Sequence, residues 1–290
     1  MICPICRSER LEPRYLGLVR EGRHGHWSEH EETVWGCSQC QAAFLPDARQ
    51  DYEGDNYREE TDGCGTIDHF YSLHDAESLE KVGVIGTAGL RGKVVADIGC
   101  GGGSFLDMLY GVAGKTIAIE PCRSYQESLA QRHEVYSYVS DALEDRKGGV
   151  DLLTCFAVIE HVDDPLALLR DAAALMAEGG AMVLSTPNAD DWLLEFLPEQ
   201  YGRFFYRRAH RWYFNLASLE RLADMAGLEI ESVVFKARYD VSNALHWIKE
   251  GAPTGVGKTK LFSPLDQHWK QVLEQSGRSD FIYIRMGLKK

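Results

Sequence analysis

Two cysteine pairs open the chain, Cys3-Pro4-Ile5-Cys6 and Cys37-Ser38-Gln39-Cys40, with thirty residues between them. A two-residue gap lets both sulfurs of one tight turn face the same point, and two such turns complete a tetrahedral thiolate site of the kind that holds zinc. Cys3, Cys6, Cys37 and Cys40 are the expected metal ligands, and four thiolates leave no position open for water, which makes the site structural. The stretch between the pairs is polar, with Gly22, Gly25 and three histidines, so metal binding has to supply its folding energy. Replacement of one thiolate by His24, His26 or His30 is a competing reading that the symmetry of the pairs disfavours. Two disulfides or a redox CxxC are the others. No thioredoxin-like βαβ pattern surrounds either pair, and eight cysteines in a chain without an export signal are a poor disulfide framework.

The second stretch with chemistry in it runs from Val94 to Phe105. An apolar segment ends in Asp97, glycines come next at 99, 101 and 103, and a helix begins. Such glycines remove side chains where a backbone must turn tightly and touch a ligand. Glu120 ends the next apolar run, 23 residues after Asp97, a spacing at which an acid typically accepts hydrogen bonds from ribose hydroxyls.

The elements that must position these groups alternate. Apolar runs at Val94–Ile98, 116–119, 152–156 and 181–185 read as buried parallel strands. Helical spacing occupies 105–110, 124–132 and 165–177 between them, and 216–226 beyond, stopped by Gly227. Later strands are expected at 229–236 and 281–286, and a helix near Ile67–Ile85 precedes the series. Alternation of this kind builds a doubly wound α/β sheet. Two aromatic, loop-rich segments, 188–215 and 237–279, break it and are read as insertions capping the pocket.

The loop resembles the first motif of the class I S-adenosylmethionine (SAM)-dependent methyltransferases, an acid-x-Gly-x-Gly-x-Gly pattern matched by Asp97-Ile98-Gly99-Cys100-Gly101-Gly102-Gly103. Dinucleotide-binding Rossmann proteins space their glycines as G-x-G-x-x-G and need no preceding acid, so the pattern favours SAM over NAD. Ser140-Asp141-Ala142 resembles the third motif, whose acid usually meets the adenine amino group. Residues 151–156 resemble the fourth strand, which ends beside the methionine portion at Phe156. Residues 158–162 and 179–188 resemble the later segments of many small-molecule members.

The resemblance covers roughly 93–234. It implies a Rossmann-like doubly wound seven-stranded sheet, with 281–286 as a final antiparallel strand. The domains then read as a zinc ribbon at 1–50, a connector and helix at 51–92, and a SAM-dependent methyltransferase domain at 93–290. The implied cofactors are SAM and structural Zn2+. The implied SAM contacts are Asp97, Gly99, Cys100, Gly101, Glu120, Pro121, Asp141, Ala142 and Phe156. Tyr57, His69 and Tyr71 precede the core and are expected to close over SAM, against the alternative that connector aromatics pack between domains.

Methyl transfer from a sulfonium is an in-line displacement, so the enzyme must hold the nucleophile at near-attack distance and exclude water. A general base helps a hydroxyl or acidified carbon acceptor, and histidine suits neutral pH. His161 comes just after the fourth strand, where the transferred methyl should sit; helix capping is its plainer role. His210, in His210-Arg211-Trp212-Tyr213-Phe214, is the second candidate, with packing as its alternative. Similar His-x-x-x-Phe stretches occur at this place in methyltransferases of glycan and antibiotic-sugar pathways.

A ribbon ahead of this core is similar to zinc-bearing sugar methyltransferases, including those that C-methylate nucleotide-linked deoxysugars. Those usually carry a further C-terminal domain that this chain is too short to contain, which puts C-methylation in doubt. The leading expectation is methylation of a small polar metabolite, such as a sugar or phosphorylated intermediate of glycan or natural-product biosynthesis. An RNA methyltransferase that uses the ribbon for RNA contact is the second reading, and a non-catalytic SAM-binding regulator the third. The net charge of −13 opposes phosphate-backbone binding, while Arg203, Arg207, Arg208 and Arg211 form a local basic cluster that a phosphorylated substrate could meet. Residues 252–259 satisfy a relaxed Walker A pattern, but helical spacing precedes them where a P-loop needs a buried strand, and Pro264 is read as interrupting the segment just downstream. No stretch reaches the roughly 20 apolar residues of a membrane helix, and no signal peptide opens the chain, so a cytoplasmic location is expected.

Overall fold

The computed structural model describes residues 1–22, 24–48, 66–254 and 260–290. Three strands open the chain: β1 (Leu11–Gly17), β2 (Glu32–Cys37) and β3 (Ala43–Phe44). A long helix comes next, α1 (Ile67–Ile85), and then the alternation begins. It runs β4 (Val94–Ile98), α2 (Ser104–Leu109), β5 (Lys115–Ile119), α3 (Arg123–Leu129), β6 (Glu134–Tyr136) and α4 (Val139–Arg146). It continues through β7 (Val150–Phe156), α5 (Pro165–Leu175) and β8 (Met176–Pro187). The first insertion holds α6 (Trp192–Phe196), α7 (Gly202–Phe205) and β9 (Trp212–Tyr213). The chain ends α8 (Leu216–Met225), β10 (Leu228–Lys236), α9 (Val241–Glu250), α10 (Ser263–Gln275) and β11 (Phe281–Leu288).

Seven of these strands form one sheet in the order β10-β11-β8-β7-β4-β5-β6. The five from β8 to β6 are parallel, and β11 runs antiparallel between β8 and β10. Strands β4, β5 and β7 are buried along nearly their whole length, as expected where helices cover both faces of a parallel sheet. Winding starts at β4 and moves outward through β5 to β6, then returns to β7 on the other side. The point of reversal lies between β4 and β7, where an open α/β sheet leaves a crevice beyond its carboxyl ends. Local signals set the surrounding helices. Asp164 caps α5 by accepting from the Leu166 and Ala167 amides, with Pro165 in the first turn, and Asn215 and Ser218 form a reciprocal cap on α8.

The amino-terminal strands do not stand apart. Strand β9 of the first insertion pairs with β3, Ala43 against Tyr213 and Phe44 against Trp212, which gives a second sheet ordered β1-β2-β3-β9. Trp212 and Phe214 are fully buried, and the Phe44 and Trp212 rings lie 5.7 Å apart. Burying side chains of this size stabilises by about 2–3 kcal/mol each. Cys3, Cys37, Cys40 and Phe44 thereby join the same apolar cluster as Ile98, Leu153 and Leu184 of the large sheet.

Two expectations about the insertions change. Helix α10, within 237–279, packs beside β10 and against α9, whose Trp247 packs on Tyr201 and Phe204 of the first insertion, and neither helix lines the crevice. Pro264 does not interrupt that segment but sits in the first turn of α10, where its missing amide costs nothing. Helix α9, not a strand, precedes the Walker-like stretch, whose residues 255–259 lie outside the described residues.

Candidate active site

A cavity of about 1140 Å³ opens at the carboxyl ends of β4, β5 and β7. Pockets for a single drug-sized ligand run to about 300–1,000 Å³, so this one has room for two molecules side by side. Its floor is the glycine loop. Gly99, Gly101 and Gly103 have φ of 70°, 56° and 88°, all in the left-handed region. A Cβ on Gly99 would lie 2.4 Å from Val158 Cγ2, so the loop and the segment after β7 are fitted to each other.

Glu120 closes the loop. The Gly101 amide donates to its Oε2 at 2.7 Å and the Cys122 amide to its Oε1 at 2.9 Å. A carboxylate oxygen can accept a second bond, so this buried group can hold the loop and still meet a hydroxyl. Asp97 is buried at the end of β4, where the Thr154 hydroxyl donates to its Oδ1 at 2.7 Å. Burial pushes its pKa up to about 6. Cys100, Pro121 and Phe156 line the same cavity.

The cavity wall departs from the expected set in two places. Asp141 is exposed and turned back to its own helix, accepting from the Tyr138 amide at 3.0 Å, and Ala142 is buried in the core. Ser137, Tyr138 and Ser140, just before them, line the cavity instead. On α1, His69 is exposed and the Tyr71 hydroxyl donates to the Gly102 carbonyl from outside the cavity. The wall takes the other face of α1: Phe70, His74, Glu77, Ser78 and Lys81. Lys81 Nζ is 3.1 Å from Glu77 Oε1 and 5.4 Å from the centre of the Phe156 ring. Tyr57 lies outside the described residues.

The two expected histidines come together, but only one faces the cavity. His161 lines it, with Nδ1 2.7 Å from the Ala209 carbonyl. A carbonyl only accepts, so Nδ1 carries the proton and the basic lone pair of the neutral ring is on Nε2. His210 is not on the wall; it is buried behind His161, the two rings edge to face at 4.6 Å. Burial, helped by the Arg207 charge, holds its pKa well below the ordinary value, so it stays neutral. Glu160, 1% exposed, completes the group, with the Thr186 hydroxyl donating to its Oε2 at 2.9 Å. Burial pushes this carboxyl up to about 7.

The first insertion is strapped across this corner. The Arg211 and Trp212 amides both donate to the Glu160 carbonyl, and the Trp212 indole donates to the Val162 carbonyl at 2.7 Å. The basic cluster is largely engaged here. Arg208 pairs with Glu32 of β2, Arg211 with Asp163 at 2.7 Å, and Arg203 lies over the Trp27 ring.

The two cysteine turns are built alike. The Arg7 amide donates to the Cys3 carbonyl and the Gln41 amide to the Cys37 carbonyl, and Arg7 and Gln41 take the same left-handed conformation, φ 61° and 65°. Cys3 and Cys40 sulfurs are 3.6 Å apart, Cys6 and Cys37 sulfurs 3.5 Å, and all four lie within 4.8 Å of one another. Sulfurs about 2.3 Å from a shared tetrahedral ion would stand about 3.8 Å apart, so the arrangement fits zinc. Without a cation the four cannot all ionise. Hydrogen bonding to Cys3 pushes the Cys40 thiol up, and burial raises Cys6.

The strand order, the glycine loop at the switch point and the acid on the next strand define a class I SAM-dependent methyltransferase. The chain belongs to this family: residues 72–233, more than half of it, match the methyltransferase domain. Among its relatives, the ubiquinone biosynthesis O-methyltransferase of Cupriavidus pinatubonensis is 29% identical over 182 residues, 56% of this chain and 70% of the relative. That of Thiobacillus denitrificans is 30% identical over 178 residues, 57% of this chain and 76% of the relative. A SAM-dependent methyltransferase structure from Archaeoglobus fulgidus shares the fold with a TM-score of 0.51 at 15% identity, over 80% of this chain and 97% of that one. A chain from the Haloferax volcanii complex of the Trm112 methyltransferase activator with a methyltransferase does so at 0.55 and 13% identity, over 83% and 100%. Among the described residues no helix is long and apolar enough to cross a membrane.

Proposed function

We propose that the chain methylates a hydroxyl of a small polar metabolite, such as a sugar or phosphorylated intermediate of glycan or natural-product biosynthesis. The observation that carries this reading is the shape of the cavity, which runs without a break from the glycine loop past Phe156 to His161. One end suits an adenosyl group and the other an acceptor. The names of the relatives support oxygen as the methylated atom. The engagement of the basic cluster with the chain's own acids and aromatics favours a small acceptor over RNA.

Bound SAM supplies a methyl carbon made electrophilic by the attached sulfonium. Glu120 accepts from the ribose hydroxyls while keeping the loop closed through Gly101. Gly99, Cys100 and Pro121 form the surface under the nucleoside, with the backbone of Ser137–Ser140 toward the base. Asp97 and Lys81, opposite charges on facing walls, suit the ammonium and carboxylate of the methionine portion. Phe156 sets the edge of the methyl position, and His161 activates the acceptor beside it. Cys3, Cys6, Cys37 and Cys40 would hold a zinc ion that would fix the module carrying β3 and, through β9, the corner around His161.

Calorimetry with SAM and S-adenosylhomocysteine, then detection of S-adenosylhomocysteine formed over a panel of sugars, sugar phosphates and phenols, tests the proposal. Saturable binding and turnover with a hydroxylated acceptor are expected. Binding with turnover only on RNA would replace the acceptor class, and absence of binding would remove the reading.

A further inference from the structure

Behind the cavity wall lies a buried carboxylate, that of Glu160. Oε2 of Glu160 receives the Thr186 hydroxyl, but Oε1 is buried without a hydrogen-bond partner among the described residues. The charges of Arg207 and Arg238 act on this carboxyl from a distance, and Arg238 itself pairs with Asp280. A buried carboxylate in a low-dielectric setting is stabilised either by a proton or by a cation.

Two ring nitrogens lie close to this carboxylate. The Glu160 carboxylate and one nitrogen each of His161 and His210 lie within 4.8 Å of one another. Donors about 2.1 Å from a shared ion stand roughly 3–3.5 Å apart, so a closure of at most about 1–2 Å completes the set. Two imidazoles and one carboxylate make a donor set for first-row transition ions, whereas Mg2+ and Ca2+ favour oxygen alone. The supporting bonds are already made. His161 donates Nδ1–H to Ala209, which leaves the lone pair on Nε2, and Thr186 fixes the other oxygen of Glu160. Glu160 and His161 arrive at the end of β7 and His210 on the insertion, and the amides of Arg211 and Trp212 lock the two segments together.

We propose that Glu160, His161 and His210 bind a divalent transition-metal ion at the wall of the acceptor cavity. The ion rests on the methyltransferase reading and deepens it, giving His161 its means of activating the acceptor and selecting which acceptors fit. Three protein donors would leave coordination positions open, and His161 is the one of the three that lines the cavity. A hydroxyl bound there becomes more acidic, and its proton passes to water at the cavity mouth. The oxygen lone pair then forms the O–CH3 bond as the C–S bond breaks and its electron pair stays on sulfur. An acceptor with two neighbouring oxygens would chelate the ion.

The test titrates Mn2+ into the full chain with its ribbon zinc in place and tracks the loss of the free-ion paramagnetic resonance signal, with SAM calorimetry alongside. Mn2+, the weakest binder of the series, leaves zinc on the thiolates. One saturable site is expected, weakened about tenfold or more in Glu160→Gln and His210→Ala with SAM affinity retained. Should those buried substitutions fail to fold, His161→Ala, at the cavity surface, provides the same comparison. No saturable Mn2+ site in the unaltered chain, or equal binding in all folded variants, overturns the ion. SAM binding in those samples keeps the underlying reading standing, and its loss in the unaltered chain strikes that reading separately.

Discussion

The Nδ1 proton of His161 is donated to the backbone carbonyl of Ala209, 2.7 Å away, and so ties the end of β7 to the insertion that carries His210. Sequence places the two residues 48 positions apart. The bond fixes the tautomer of the histidine on the cavity wall and brings the other histidine behind it.

Replacing His161 with alanine is expected to lower turnover by about a hundredfold or more while SAM affinity changes little, because the ring faces the acceptor end of the cavity. Single-turnover kinetics alongside calorimetry separates the two. Unchanged turnover would take His161 out of the chemistry.

Gly99 makes a second test. Its φ of 70° and the 2.4 Å approach of Val158 mean that Gly99→Ala strains the backbone and displaces a neighbour at once. A cost of about 1–3 kcal/mol is expected, seen as a lower Tm, together with weakened SAM binding. Gly86→Ala, also at positive φ but with no atom near its Cβ, should cost less and spare SAM affinity.

The pH dependence comes from Asp97. Its folded pKa of about 6 lies above the ordinary value of 3.8, so the fold favours the protonated carboxyl. Its contribution to stability is therefore greatest below about pH 4 and fades as pH rises through about 6. The proposed contact of Asp97 with the SAM ammonium runs the other way, since it needs the carboxylate. SAM affinity is expected to fall up to tenfold per pH unit below about 6, and Asp97→Asn should flatten that profile. Calorimetry at several pH values checks both.

Much of this was legible in the sequence. The glycine loop, Asp97, Glu120 and the cysteine pairs are local patterns, and the structure keeps each in one place. Helix α1 was bounded at Ile67–Ile85, but its face was not. A residue turns about 100° around a helix, so His69 and Tyr71 point away while His74 and Ser78, a turn further on, line the cavity. The stripe 70, 74, 77, 78, 81 was the available signal. Asp141 was misplaced because a helix N-terminus claims a nearby carboxylate as readily as an adenine does. The β3–β9 pairing rests on two residues per strand brought together across the chain, with no local pattern to announce it.

Zinc on the four cysteines, as proposed, should be felt at the far histidines. A chelator, or Cys37→Ser, is expected to lower Tm and to slow methyl transfer even with SAM saturating, since β3 braces β9 and β9 adjoins His210. Differential scanning fluorimetry and initial rates with and without added Zn2+ check this. Full activity after verified metal loss would show that the two modules work independently.

The seam of four residues between Ala43–Phe44 and Tyr213–Trp212 has a corollary for anyone engineering this chain. A shortened version beginning at α1 would bare an unpaired edge and one face of a tryptophan that is 1% exposed in the intact fold, a surface prone to self-association. The leading module is thus no detachable adaptor, and a graft from another protein would succeed only by reproducing that two-rung ladder.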